Sequence, residues 1–309
     1  MYIPLIIFII MLFFPGLTKS GAYIGLNLWF NTIIPTLLPY MIISGIVTHF
    51  NAFNIISKII YPITRRLFKI SFNANYCIIV GFLCGFPMGS KVIADMLSKQ
   101  RISIAEANYL LCFCNNISPS FILNYVVASI LLNQYKLNGH IIYTIFIIIF
   151  LSPIISSFIY RYCNKKDFLN LDTKCNNVYS SCDKNFGIID KCISSSFENI
   201  FRIGGYIIIF SVISNWINNI DYLNKNLTFI LSSIFEITSG LNTLRYTSIS
   251  NIYGLTLVVG LCSFGGICSI AQTYSMVKDS PLEIKKYIRY KLINALISII
   301  LTITTLSNL

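Results

Sequence analysis

Two stretches of this chain carry residues that could do chemistry within an otherwise greasy sequence. The first, "GFLCGFPMGSKVIADMLS" from Gly81 to Ser98, holds three glycines and a proline, with Lys91 and Asp95 straight after them. Gly85, Phe86, Pro87, Gly89 and Ser90 break a helix. Backbone groups freed by a break cost several kcal/mol each if left unpaired in hydrocarbon, so a break is tolerated where it lines a polar cavity. A half-helix starting there would aim its N–H groups and positive end at an anion, with Lys91 beside them. The other reading is an ordinary kinked membrane helix whose lysine snorkels to the interface. The second stretch, "CFCNNISPS" from Cys112 to Ser120, sets Asn115, Asn116 and Ser118 ahead of Pro119. Proline has no backbone donor and frees the carbonyl one turn earlier. Two adjacent amides offer donors and acceptors together, either to a ligand or as glue between helices.

The elements that hold these residues must be membrane helices. Hydrophobic residues make up 55% of the 309 and charged residues 11%, with a mean hydropathy of +0.72. Soluble domains carry about 25% charged residues. Apolar runs long enough to span recur, clearest at 141–160, around 204–217 and at 292–306; a span needs roughly 20 residues. The opening "MYIPLIIFIIMLFF" lacks a basic leader and a small-residue cleavage site, so it reads as a retained short helix. The net charge of +12 comes from Lys and Arg clustered between the spans, the pattern of cytoplasmic loops, and does not point to nucleic acid.

No cofactor or metal is expected. Of the ten cysteines, Cys77, Cys84, Cys112, Cys114, Cys262 and Cys268 lie in apolar segments as small hydrophobes. Cys163, Cys175, Cys182 and Cys192 share a polar loop without zinc-ligand spacing. His49 and His140 are far apart in sequence, and neither G-x-S-x-G nor H-E-x-x-H occurs, so an enzyme is not expected.

A faint duplication organises the chain. "FNTIIPTLLPYMIISGIV" from Phe30 and "FENIFRIGGYIIIFSVIS" from Phe197 begin 167 residues apart, and "LFKIS" at Leu67 meets "IFEIT" at Ile234 at that offset. Further on, Gly85-Phe86-Pro87 answers Ser263-Phe264-Gly265. The expected layout is an N-terminal half (1–163) with a repeat at 30–133, a polar cytoplasmic linker (164–191), and a C-terminal half (192–309) with a repeat at 197–309. Transporters are often built so, with discontinuous helices meeting near the bilayer midplane. On this reading 74–96 and 251–275 are the two broken elements. If 74–96 re-enters, the repeats are inverted, but Lys278, Lys285, Lys286, Arg289 and Lys291 fall outside, against the positive-inside rule. If both segments cross, the repeats are parallel and Arg65 and Arg66 are misplaced instead. The inverted arrangement is preferred.

"GFPMGSKVIADMLSKQRISIAEANYLLCFCNNISPSFI" resembles the hallmark block of the YlbJ/SpoVV sporulation integral membrane proteins. "GLNLWFNTIIPTLLPYMIISGI" is similar to their N-terminal region and "FGGICSIAQ" to their C-terminal block. These proteins carry the Gate, or nucleoside-recognition, region of concentrative nucleoside transporters, whose L-C-G-F-A-N-F-S-S-I stretch resembles "LCSFGGICSIAQ" here. Gly266 replaces the ribose-contacting Asn of that stretch, while Ser269 keeps the Ser. The resemblance implies an all-α polytopic membrane protein with re-entrant or discontinuous helices, moving dipicolinate across the outer forespore membrane of a spore-forming bacterium. The implied binding residues are Gly85, Phe86, Pro87, Gly89, Ser90, Lys91, Asn115, Asn116, Ser118, Phe264, Gly265, Gly266, Ser269 and Gln272. Arg202 and Arg245 join Lys91 as bases in or beside apolar segments. The acids Asp95, Glu106, Glu198 and Glu236 either pair with these bases or couple protons. Implied partners are the lipid bilayer, a small anion, and further copies of the chain or other sporulation membrane proteins. Two alternatives stand beside transport of an anion: a non-transporting scaffold of spore-envelope assembly, and a nucleoside or ion permease.

Overall fold

The computed structural model describes residues 2–50, 52–131, 139–165, 186–247 and 251–307. The described residues are helical throughout, without strands. Cys175, Cys182 and most of the expected 164–191 linker lie outside them. Among the described residues, six helical segments are long and apolar enough to cross a bilayer: Pro15–His49, Ile104–Ala128, Gly139–Cys163, Gly187–Asn218, Ile252–Val277 and Ile284–Leu306. The chain is a multi-pass integral membrane protein.

Helix α1 (Tyr2–Phe13) precedes α2 (Pro15–Leu28), which runs through a π-helical turn at Trp29–Ile33 into α3 (Ile34–His49). Pro35 and Pro39 each remove a helical donor beside that turn. The second crossing helix of this layer is α10 (Phe186–Asn218), antiparallel to α2 and α3. Gly21 and Gly25, four apart on α2, let the two backbones touch: a Cβ on either would stand 2.8 Å from a Cα of α10, that of Val212 or Ile208. The Trp29 indole lies on Gly204 and donates to the Ile200 carbonyl at 2.9 Å.

The amphipathic α4 (Phe53–Phe68) leaves Ile55, Ile59 and Ile63 exposed beside its basic residues, the pattern of a helix lying in the interface. After it come α5 (Ala74–Cys84) and α6 (Met88–Ser98), 11 residues each. An unbroken helix would put Gly81 and Gly89 about 12 Å apart. Here a Cβ on Gly89 would stand 3.1 Å from the Gly81 Cα, so the chain doubles back as a hairpin with Gly85–Pro87 at its tip. Gly85 has φ +75°, where an added Cβ would also meet the Ser118 nitrogen at 2.7 Å. Next are α7 (Ile104–Cys114), the irregular Asn115–Ser118, and α8, which starts at Pro119–Phe121 and continues π-helically through Ile122–Leu131. The long α9 (Gly139–Cys163) closes the first half.

The second half contains a hairpin where none was expected. Helices α11 (Lys225–Phe235) and α12 (Ile237–Asn242) meet at Glu236, extended at φ −141° and ψ 113°. Gly240 and Ser233 would be about 10 Å apart in one helix, yet a Cβ on Gly240 would stand 2.2 Å from the Ser233 Cα. The segment that doubles back is therefore 225–242. The expected second element, 251–275, is α13 (Asn251–Phe264) and α14 (Gly266–Val277), interrupted at Gly265 with φ +84°. It belongs to a crossing segment, and α15 (Ile284–Leu306) follows.

This chain path removes the conflict in the charges. With six crossings and two hairpins that return to their own side, Lys58, Arg65, Arg66, Lys69, Lys99, Arg101, Arg161, Lys191, Lys278, Lys285, Lys286 and Arg289 lie toward one end. Cross-links among these regions agree. Arg101 donates to the Thr48 carbonyl at 2.7 Å, Arg161 to the Leu67 carbonyl at 3.2 Å, and the Glu283 amide to Asn108 at 2.8 Å. The first hairpin enters from this end and the second from the other. One apolar core gathers α3, α5–α7, α14 and the start of α15; a second gathers α8, α9 and α11–α13.

Candidate functional site

All four chain interruptions meet where the two cores join. The Phe86 amide donates to the Asn116 carbonyl at 2.6 Å, pinning the tip of the first hairpin to the α7–α8 break. The Phe86 ring reaches across to Gly265, where an added Cβ would come within 3.3 Å of it. Gly266 in turn packs on the carbonyls of Ser233 and Ile234 at the tip of the second hairpin, 3.2 Å from its Cβ position.

Asn115 is fully engaged. Its Oδ1 accepts from the Ser90 amide at 3.2 Å, and its Nδ2 donates to Thr273 at 2.7 Å and Tyr287 at 3.1 Å. It ties the first hairpin to α14 and α15. Asn116 is held differently: Nδ2 donates to the Phe113 carbonyl, while Oδ1 accepts two long bonds, from Lys291 Nζ at 3.4 Å and Asn294 Nδ2 at 3.5 Å. Asn294 also reaches the Ser263 carbonyl at 3.5 Å, two residues before the Gly265–Gly266 break.

Lys291 is the base at this junction, although the charge pattern of the sequence groups it with an exterior basic cluster. It is 0% exposed, yet its ammonium has one long bond and no carboxylate partner among the described residues. Beside it, Asn294 Oδ1 and Ser263 Oγ are buried without a hydrogen-bond partner among the described residues. A charged lysine at the centre of a span costs roughly 2.5–3.5 kcal/mol on insertion scales, so an unpaired one marks a functional site. A signal for it exists in α15, whose buried face reads Tyr287, Lys291, Asn294, Ser298, Thr302. That is a polar stripe at helical spacing on an apolar helix.

The α14 N-terminus adjoins this cluster. Gly265 and Gly266 open it without a side-chain cap, which leaves first-turn N–H groups for a ligand. Ser269 turns its hydroxyl back to the Gly266 carbonyl at 2.9 Å, and Gln272 donates to Cys268 Sγ at 3.2 Å. Phe264 ends α13. Ser118 caps α8 through the Phe121 amide at 3.2 Å. At the second hairpin tip the buried Glu236 carboxylate accepts from the amides of Thr238 at 3.1 Å and Ser239 at 2.5 Å. That helix N-terminus already holds its anion.

The remaining charged residues expected at the site stand apart from the junction. Lys91 pairs with Asp95 on its own helix at 2.7 Å. Glu106 clamps the start of the first hairpin, accepting from the Ser71 amide at 2.6 Å and hydroxyl at 2.9 Å. Arg202 pairs with Glu198 on exposed α10, and Arg245 lies in the turn Thr243–Tyr246. A cavity of about 210 Å³ between α2, α10 and α12 is lined by uncharged groups including Ser211, Asn215, Ser239 and Asn242.

No family model matches the chain, and no solved structure matches it. It is 21% identical, over 309 aligned positions, to the sporulation integral membrane protein YlbJ of Bacillus subtilis (strain 168). The alignment covers 88% of this chain and 74% of that protein. The chain is a relative of YlbJ. The alignment runs through most of the membrane-embedded body described above and is not confined to one motif. The likeness to nucleoside transporters stays a resemblance of short stretches.

Proposed function

We propose that this relative of YlbJ is a sporulation membrane transporter of a small organic anion, moving dipicolinate across the outer forespore membrane. The observation that carries the reading is the junction of four chain interruptions, one of which, at Asn116, touches a fully buried lysine with no carboxylate partner among the described residues, Lys291. Interrupted helices that meet inside a bundle are the way membrane carriers build midplane sites. Dipicolinate presents two carboxylates on a flat ring. One would take Lys291 and Asn294, and the other the uncapped α14 N-terminus. The capping carboxylate of Glu236 repels an anion from the second hairpin's own helix start, so the ligand sits on the α14 side of that tip. We read the two halves as inverted repeats, each a hairpin, a broken crossing segment and a long helix. The basic end is cytoplasmic by the positive-inside rule. No catalytic role is assigned to the cluster.

The test is counterflow. Purified protein in liposomes preloaded with unlabelled dipicolinate should accumulate labelled dipicolinate from outside, while protein-free liposomes should not. Absence of exchange in protein that is folded and correctly inserted overturns transport and leaves the scaffold role.

A further inference from the structure

We infer that Lys291 carries a proton with the anion: it is protonated when the anion binds and returns that proton to water when the anion leaves. The inference rests on the transport reading above and deepens it.

The geometry asks for a group that changes charge. With the site empty, an ammonium at Lys291 would have three protons to donate and one acceptor, Asn116 Oδ1 at 3.4 Å, already shared with Asn294. Every element packed around α15 withholds a counter-ion. On α7 the titratable groups are Glu106, whose two oxygens are on Ser71, the buried Tyr109 phenol, and buried thiols such as Cys112. Cys262 is on α13, Tyr160 on α9, and Tyr287 on α15 itself already bonds Asn115. Arg161 of α9 turns to the Leu67 carbonyl, and Lys286 is paired with Glu283. The neutral amine suits the empty site, since it carries no charge to balance and has one proton fewer to place. A bound carboxylate supplies what the ammonium lacks. Anion and proton therefore raise each other's affinity, as linkage requires. In the full cycle one proton passes from water to Nζ at loading and from Nζ to water at release, with no other bond made or broken.

The experiment uses reconstituted full-length protein at pH 8, where the carboxylic acids of free dipicolinate are ionised and carry no proton themselves. A trapped fluorescent pH indicator reports the lumen while an inward dipicolinate gradient drives net uptake. The expected result is about one proton entering per anion. Lys291→Arg holds its charge permanently, so any dipicolinate flux that it retains should carry no protons. Normal counterflow with no proton entry in the wild type overturns the inference and leaves transport standing. Proton entry in the Arg variant equal to wild type removes Lys291 as the carrier. Failure of wild-type counterflow removes the transport reading and this inference together. If the Arg variant does not fold, the wild-type stoichiometry decides alone.

Discussion

Lys291→Met separates a binding lysine from a structural one, because the two roles predict opposite signs in two measurements. The side chain is 0% exposed and makes one bond of 3.4 Å, so methionine fills its space and surrenders little contact. The charged form costs roughly 2.5–3.5 kcal/mol at the centre of a span. At a pH low enough to keep Lys291 protonated with the site empty, removing it should raise the thermal midpoint of the empty protein. Affinity should move the other way. One charge contact at about 4 Å is worth on the order of 1–4 kcal/mol at an effective dielectric of 20–80. That predicts dipicolinate binding weaker by about five- to several-hundred-fold. Titration calorimetry on purified protein, with melting curves at zero and saturating dipicolinate, reads both quantities. Gain of stability with loss of affinity is the signature of a site held under electrostatic strain for function. A methionine variant that melts earlier and binds as tightly as wild type would refute the reasoning and make Lys291 a structural residue. Lys91→Gln is the control, since its charge is already offset by Asp95 at 2.7 Å, and it should change affinity little.

Asn116→Asp would give Lys291 a permanent counter-ion, and it should abolish dipicolinate binding while stabilising the empty protein; unchanged binding would separate Asn116 from the site. Asn115→Leu should lower membrane abundance, at about 0.6–2 kcal/mol for each interhelical bond lost, so normal abundance would contradict its place as the joint between hairpin, α14 and α15. Gly85→Ala forces a side chain into left-handed backbone against Ser118 and should destabilise by at least about 1–2 kcal/mol; a neutral effect measured by denaturation would count against the hairpin tip. Single cysteines at exposed Tyr222 and Tyr246 should react with an impermeant thiol reagent from the same face, and one at Ser280 from the other. Labelling of 222 and 246 from opposite faces would mean that 225–242 crosses the membrane.

Composition makes the membrane class legible, and glycine with proline makes three of the four interruptions legible. Gly85 and Gly265 adopt backbone that other residues avoid, so the chemistry of the break is written in the residue type. The second hairpin is hidden because its tip is Glu236, an extended residue whose carboxylate caps the following helix. Acids and bases in a greasy segment invite a search for ion pairs, and a cap looks the same in one dimension. Taking 251–275 as the second hairpin leaves the crossings one short, and letting 74–96 cross as well makes them one too many, so either arrangement of the repeats strands a basic cluster. Lys291 is hidden for the opposite reason, since Lys285, Lys286 and Arg289 sit just before it and are not fully buried. Only the helical register of α15, which puts Lys291 in line with Tyr287 and Asn294, separates the buried base from the surface ones.

The proposed repeat also explains why the duplication is faint where it matters most. Symmetry of path does not require symmetry of chemistry. The first half brings the amides of Asn115 and Asn116 to the junction, and the second brings Ser263, Lys291, Asn294 and an uncapped helix start. If both halves supplied a lysine, two ammonium groups would repel each other at the junction whenever both were protonated. If both supplied amides, nothing would balance an anion. A carrier of anions built from two copies of one fold must therefore let its broken segments diverge at the break itself.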